Sequence, residues 1–361
     1  MRRPGPVLPA LLAATALLAG CTGPAGPGAP AAPAAPTVAV PTPAATPQDV
    51  VTDLDAPWSV AFLGDVALIS TRDRGEVLEL TEDGGTRVVG TVPDVAARGE
   101  GGLLGLAVDD ASRLYTYTTT DRGNRIDRFA LTGTPGALAL GPREPVLDGI
   151  PAATTHDGGR LAFGPDGMLY ATTGDAGVPT NAQDPGSLGG KVLRMTPDGG
   201  VPADNPDPGS VVWTSGHRNP QGLAWDDAGT LYATEFGQDT WDELNVLVPG
   251  GNYGWPEVEG VAGVAGFTDP VQQWDPDDAS PSGMAYADGL LVIANLQGAV
   301  LRLVPTDDLA GAVDLYRGTY GRLRDVVVAP DGALWVVTSS TDGRGSPGPG
   351  DDRVLRVELP G

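Results

Sequence analysis

Cysteine is almost absent from this sequence: Cys21 is the only one in 361 residues. The folded part of the chain therefore has no disulfide, and no thiol for nucleophilic catalysis or thiolate metal binding. Histidine is nearly as scarce, with two copies, so histidine chemistry has only two addresses. Basic residues are few, 22 Lys plus Arg against 46 Asp plus Glu, for a formal charge of −24. That field repels nucleic acid and anionic membrane surfaces, which excludes both as partners recognised through charge. No convincing amphipathic helix of any length is present. Stability has to come from burial, with hard-metal ions as the remaining contributor.

The first 49 residues read as separate from the fold. Arg2 and Arg3 precede an apolar run, Val7 to Leu18, that ends in Leu18-Ala19-Gly20-Cys21. A basic start, a short apolar segment and small residues before a cut describe a secretory signal rather than a membrane span. Leu-Ala-Gly-Cys matches the bacterial lipobox, so residues 1–20 are expected to be cleaved and Cys21 to carry lipid. The alternative is an ordinary signal peptide that happens to contain a cysteine. Residues 21–49, almost entirely Ala, Pro, Gly and Thr, cannot bury enough apolar surface to offset their ordering entropy and read as a tether. The expectation is an exported, cell-envelope lipoprotein held to the membrane through its lipid alone, with residues 50–361 as the folded domain.

That domain repeats itself. One phrase, apolar strand, Asp-Gly-type turn, apolar-aromatic strand, is clearest in Leu161-Ala-Phe-Gly-Pro-Asp-Gly-Met-Leu-Tyr170 and Val326-Val-Val-Ala-Pro-Asp-Gly-Ala-Leu-Trp335. Leu223 to Tyr232 is a third copy, and degenerate copies begin at Val60, Leu106 and Met284. Asp-Gly supplies the turn, and β-branched and aromatic residues supply the flanking strands. A second phrase follows each copy, as in Val77-Leu-Glu-Leu80, Val192-Leu-Arg-Met195 and Val354-Leu-Arg-Val357. Successive first phrases start 46, 55, 62, 61 and 42 residues apart. A period of this size with several strands per unit indicates propeller blades, so the expected fold is an all-β, six-bladed β-propeller.

Residues that the repeat does not require are the informative ones, because propeller loops at one end carry function. Both histidines lie in such connections: His156 just before the third blade, His217 just before the fourth. Asp175 ends the third-blade hairpin, and a histidine with a carboxylate in the same blade is a general-base candidate. A turn-stabilising histidine bonded to backbone is the competing reading. The segment Glu235 to Glu243 packs carboxylates and turn carbonyls closely enough to hold a hard cation such as calcium, or to be a solvated acidic loop. Arg322 and Arg324 precede the sixth blade; alternation puts both on one side of the strand, where with Arg218 they would form an anion site. A surface pair facing nearby Asp residues is the alternative.

Together these phrases resemble the soluble PQQ-dependent aldose and glucose dehydrogenases, the glucose/sorbosone dehydrogenase family. The resemblance runs from about Pro57 to Val357. Its most specific stretches are Gly101 to Leu106, His156 to Asp175, Gln183 to Arg194, Gly216 to Trp225, Asp242 to Asn245, Asn252 to Pro256 and Arg322 to Val326. The resemblance implies pyrroloquinoline quinone (PQQ) and Ca2+ as cofactors and oxidation of aldose sugars to lactones at the anomeric carbon. It implies His156 as the base, Asp175 as its orienting acid and Arg218 as the cation that stabilises developing oxyanion charge. Glu100, His156, Arg218, Asn219, Gln297, Arg322 and Arg324 fall at PQQ contacts. Carbonyls of Gly237 and Gln238 fall at the calcium beside PQQ, while Glu243 and Tyr253 resemble ligands of a second, structural calcium.

Gln297 stands where the glucose dehydrogenase carries a PQQ-binding lysine, Thr155 replaces an acidic neighbour of the base, and Glu100 occupies a glutamine position. The blade loops are also short, which favours a broad-specificity aldose enzyme. The sugar and the electron acceptor are left open. A non-catalytic ligand-binding propeller and a calcium-dependent lactonase are the alternatives, and the arginine cluster is superfluous for the second.

Overall fold

The computed structural model describes residues 46–359, and within them the chain is built almost wholly of strands, with one short 3-10 turn at Pro179–Ala182. The expected lipobox with Cys21, the expected signal peptide and nearly all of the expected tether lie outside the described residues. No helix among the described residues is long and apolar enough to cross a membrane.

The strands form six four-stranded antiparallel sheets. Each repeat phrase falls where the pattern places it. The first phrase forms the innermost and second strands of a blade, as in Leu161–Phe163 paired with Leu169–Thr173. The second phrase forms the third strand, as in Lys191–Met195. The acids of the Asp-Gly turns do structural work there. Asp166 accepts from the Met168 N–H at 3.0 Å and from the Tyr170 hydroxyl at 3.0 Å. Asp226 and Asp109 treat Tyr232 and Tyr115 the same way. Gly167, with φ of +73°, supplies the left-handed turn position that residues with a Cβ disfavour.

The closure of the ring was not legible in the repeat. The sixth blade takes three strands from the C-terminal end, and its outermost strand is Gln48–Val51, paired antiparallel with Val354–Val357. Ordered strand therefore begins at Gln48, inside the expected tether of residues 21–49. Six apolar clusters hold the ring, one at each blade-to-blade interface. Tyr115, Tyr117 and Ile126 of blade two pack on Leu161, Leu169 and Leu193 of blade three in one of them. Fully burying such a side chain stabilises by about 1.5–3 kcal/mol.

Each innermost strand runs away from the end where the chain enters the blade. Asp-Gly turns therefore gather at the opposite end. The connections into each innermost strand, and those joining second to third strands, share the first end. Between the two ends the channel is plugged: Arg160 pairs with Asp325 at 2.9 Å, both nearly fully buried, and lies 4.5 Å from the Trp58 ring centre.

Candidate active site

Two kinds of connection build the site. Those leading into innermost strands bring Glu100, His156, Arg218, Asn219 and Arg322; those joining second to third strands bring Asp175, Gly237 and Gln297. A cavity of about 290 Å³ opens among them, lined by Glu100, His156, Arg218, Asn219, Gln297 and Arg322. Gly237 and Gln238 line it as well.

His156 Nδ1 lies 2.7 Å from Asp175 Oδ1, and the Asp175 side chain is fully buried. The Trp255 indole N–H donates to Asp175 Oδ2 at 2.8 Å and the Gly177 N–H to Oδ1 at 2.8 Å. Burial alone would push the Asp175 carboxyl up. The hydrogen bond and charge of His156, with the bonds from Trp255 and Gly177, outweigh it and hold the group below the usual carboxylate range. An ionised Asp175 fixes the histidine proton on Nδ1 and leaves Nε2 as the free basic nitrogen. His156 itself adopts φ of +60°, with its N–H donating to Glu100 Oε2 at 2.8 Å.

The second histidine has a different task. His217 is fully buried, with Nδ1 2.7 Å from Glu235 Oε2 and Nε2 2.8 Å from the Thr214 hydroxyl. Its ring stacks on Tyr253 at 4.8 Å between centres. With both nitrogens engaged it has none to offer a substrate. Glu235 also accepts from the Arg218 N–H, so this pair sets the backbone that carries Arg218. The Arg218 guanidinium lies 5.5 Å from the Trp255 ring centre and donates to the carbonyls of Phe236 and Gly237. Its Nε is buried without a partner.

The arginines of blade six divide. Arg322 lines the cavity, whereas Arg324 lines an adjoining recess of about 20 Å³ with Trp58 and Gln221. The two do face one side, because both guanidinium groups reach Asp342, at 3.1 Å and 3.5 Å. Only Arg322, however, joins Arg218 at the main cavity. Burial pulls Arg324 down to about 10, against the opposing charge of Asp342.

The residues expected to bind metal fall in two places. Gly237 and Gln238 are at the cavity, and the carbonyl edge that meets Arg218 is one that accepts cationic groups. Glu243 and Tyr253 line a small void of about 10 Å³ together with Glu235. Burial first, then the neighbouring Glu235, push the Glu243 carboxyl up to about 8. The Tyr253 hydroxyl donates to the Val246 carbonyl at 2.6 Å and accepts from the Val248 N–H at 3.0 Å. A phenol so engaged has no oxygen free, so Tyr253 can serve a cation only through its backbone carbonyl. The Glu235–Glu243 segment is thus not one acidic loop around one ion: Asp242 accepts from the Gly237 and Ser280 N–H groups instead.

The sequence pattern did not point to Asp342, Arg344, Glu235 as the partner of Arg218, or Trp255 as the link to Asp175. Arg344 lines the cavity and pairs with Glu100 at 2.9 Å. One signal was available: Asp342-Gly-Arg344 occupies the same second-to-third connection in blade six that holds Asp175 in blade three.

Fold and site together define a six-bladed propeller whose functional end sets a carboxylate-oriented histidine beside a cation-lined cavity. The sequence model of the Glucose / Sorbosone dehydrogenase family matches residues 54–347, and the chain belongs to that family. It is similar to the PQQ-bound aldose sugar dehydrogenase of Streptomyces coelicolor, with a TM-score of 0.84 and 48% identity, covering 88% of this chain and 100% of that one. It is 34% identical over 349 residues to the aldose sugar dehydrogenase of Escherichia coli, 83% of this chain and 92% of that protein. It is 33% identical over 256 residues to quinoprotein glucose dehydrogenase B of Acinetobacter calcoaceticus, 60% of this chain. That match spans only 54% of the Acinetobacter protein.

Proposed function

We propose that the protein oxidises aldose sugars to lactones with PQQ and calcium, and that the His156–Asp175 pair facing the arginine-lined cavity is the observation that carries this reading. The residues present suit an anionic planar cofactor. Arg218 and Arg322 offer positive charge, Asn219 and Gln297 offer amides, and the buried Arg218 Nε has no protein partner. The cavity is close to the lower end, about 300 Å³, of small-molecule sites. For calcium, the Gly237 and Gln238 carbonyls are hard oxygen donors, and the first already attracts a cationic side chain.

When bound, PQQ supplies a two-electron acceptor and calcium a Lewis acid that polarises it. The chain's own residues do the rest. His156 Nε2 takes the proton of the anomeric hydroxyl as the neighbouring C–H bond gives up its electron pair. Asp175 keeps the imidazole in the right tautomer and stabilises its cation. Arg218 places positive charge where oxygen gains negative charge. Gln297 gives the cofactor a hydrogen bond but no charge.

Relatives named aldose sugar dehydrogenases support a broad aldose specificity over a glucose-dedicated one. The test is reconstitution of purified protein with PQQ and calcium, followed by dye reduction across a panel of aldoses. Turnover of several aldoses that is lost on calcium chelation is expected, with metal content measured in parallel. Bound PQQ with no turnover of any aldose would favour a ligand-binding propeller. We also propose that Cys21 carries the lipid that holds the enzyme at the outer side of the cytoplasmic membrane or beyond it.

A further inference from the structure

We propose that Arg344 is a positioning residue that neutralises Glu100, and that this pair lets the site accept an anionic cofactor without a lysine. The inference rests on the PQQ reading. Glu100 sits where three contacts meet. Its Oε2 accepts the His156 N–H at 2.8 Å and the Asn219 amide at 3.4 Å, and its Oε1 meets Arg344 Nη1 at 2.9 Å. Its side chain also borders both the main cavity and the adjoining recess. A carboxylate at that point holds the left-handed His156 backbone in place. It also puts a negative charge against any ligand that carries carboxylates.

Among the described residues no other cation pairs with it, although Arg324 feels its charge across the adjoining recess. The chain's single lysine, Lys191, is buried with its ammonium on the carbonyls of Asn181, Ala182 and Gly189. Arg322 is committed to Asp342 and to the Ser339 carbonyl, and Arg218 to the Phe236 and Gly237 carbonyls. Arg344 is delivered by the same Asp342, whose Oδ1 accepts the Arg344 N–H at 2.9 Å. Its side chain is 54% exposed, against 21% for Glu100. An ion pair that exposed contributes little to folding, so its removal reads on the site rather than on stability. Relative to a site with glutamine at 100 and lysine at 297, this one is two charges more negative, and Arg344 returns one of them.

The test compares the parent with Glu100→Gln, Arg344→Gln and the double variant. PQQ affinity is read from quenching of tryptophan fluorescence in the presence of calcium. Arg344→Gln is expected to weaken PQQ binding about tenfold or more, because it leaves Glu100 uncompensated. The double variant is expected to return to within about threefold of the parent, since it removes both charges. A loss that persists undiminished in the double variant would mean that Arg344 touches the ligand itself, and would overturn the proposal. So would an Arg344→Gln variant that binds PQQ as the parent does. A second readout needs no cofactor: trypsin cleavage after Arg344, followed as the new terminus at Gly345 by mass spectrometry. Glu100→Gln should speed that cut several-fold by freeing the arginine, and an unchanged rate would show that no such tether exists. A parent that binds no PQQ would overturn the functional reading, with the trypsin rates still deciding whether Glu100 holds Arg344.

Discussion

The carbonyl oxygen of His156 lies so close to Gly174 that a Cβ on residue 174 would sit 1.9 Å from it, and 2.9 Å from the Asn219 side-chain oxygen. The loop carrying His156 and the turn carrying Asp175 are therefore packed backbone to backbone. Gly174→Ala has to push His156 out of line while leaving every candidate catalytic group in the sequence. Turnover is expected to fall by at least about tenfold, with a loss of thermal stability. Full activity in that variant would show that the backbone contact does not position the base.

His156→Ala removes the only imidazole with a free nitrogen at the cavity. A rate loss of about 10²–10⁴-fold is expected, with PQQ still bound. Asp175→Asn should cost less and act on kcat more than on KM, because it disturbs the tautomer and the Trp255 bond without removing the base. Steady-state kinetics at saturating PQQ checks both.

Asp157 adds a pH dependence of stability. Burial pushes its carboxyl up to about 6, and the nearby Glu100 adds to this; bonds from Asn124 and the Ala153 N–H, and the charge of Arg98, oppose it. Its Oδ2 is buried without a partner. The folded state thus holds this proton more tightly than the unfolded chain does. The contribution is fully present below about pH 4 and is lost as pH rises through about 6. Asp157→Asn keeps an acceptor for Asn124 and removes the charge. It should stabilise the fold by about 1–3 kcal/mol at pH 7 and by much less at pH 4, read from denaturant midpoints.

Ring closure depends on Gln48–Val51. A chain starting at Thr46 should melt as the full-length protein does. One starting at Asp53 leaves the Val354–Val357 edge unpaired and strips Val51 from the cluster between blades six and one. Its Tm is expected to fall by about 10 °C or more, or cooperative folding to be lost. Calorimetry on the two chains decides it.

Anchoring is tested at Cys21. Replacement by Ser should move the protein from the membrane to the soluble or secreted fraction, or leave its leader uncut. Unchanged partitioning into detergent would refute the lipid anchor.

The sequence by itself determined the blade count and the placement of three strands per blade, because Asp-Gly turns and alternating apolar strands are local chemistry. It also marked His156, Arg218 and Arg322 as loop residues that the repeat does not need, whereas Glu100, Asn219 and Gln297 were named only through the family resemblance. What it could not supply was anything set by meeting across the ring. The pairing of Gln48–Val51 with the C-terminal strand joins segments some 300 residues apart, and neither carries a mark of the other. Arg322 and Arg324 face one side and share Asp342, as alternation foresees, but which cavity each lines was set by the packing around them. Tyr253 is a calcium ligand by resemblance, yet packing turned its phenol toward backbone, and only the fold shows that His217 reaches the Arg218 backbone through Glu235. Charge balance at the cavity was decided last of all, when Asp342 brought Arg344 within 2.9 Å of Glu100, a partner 244 positions away in the chain.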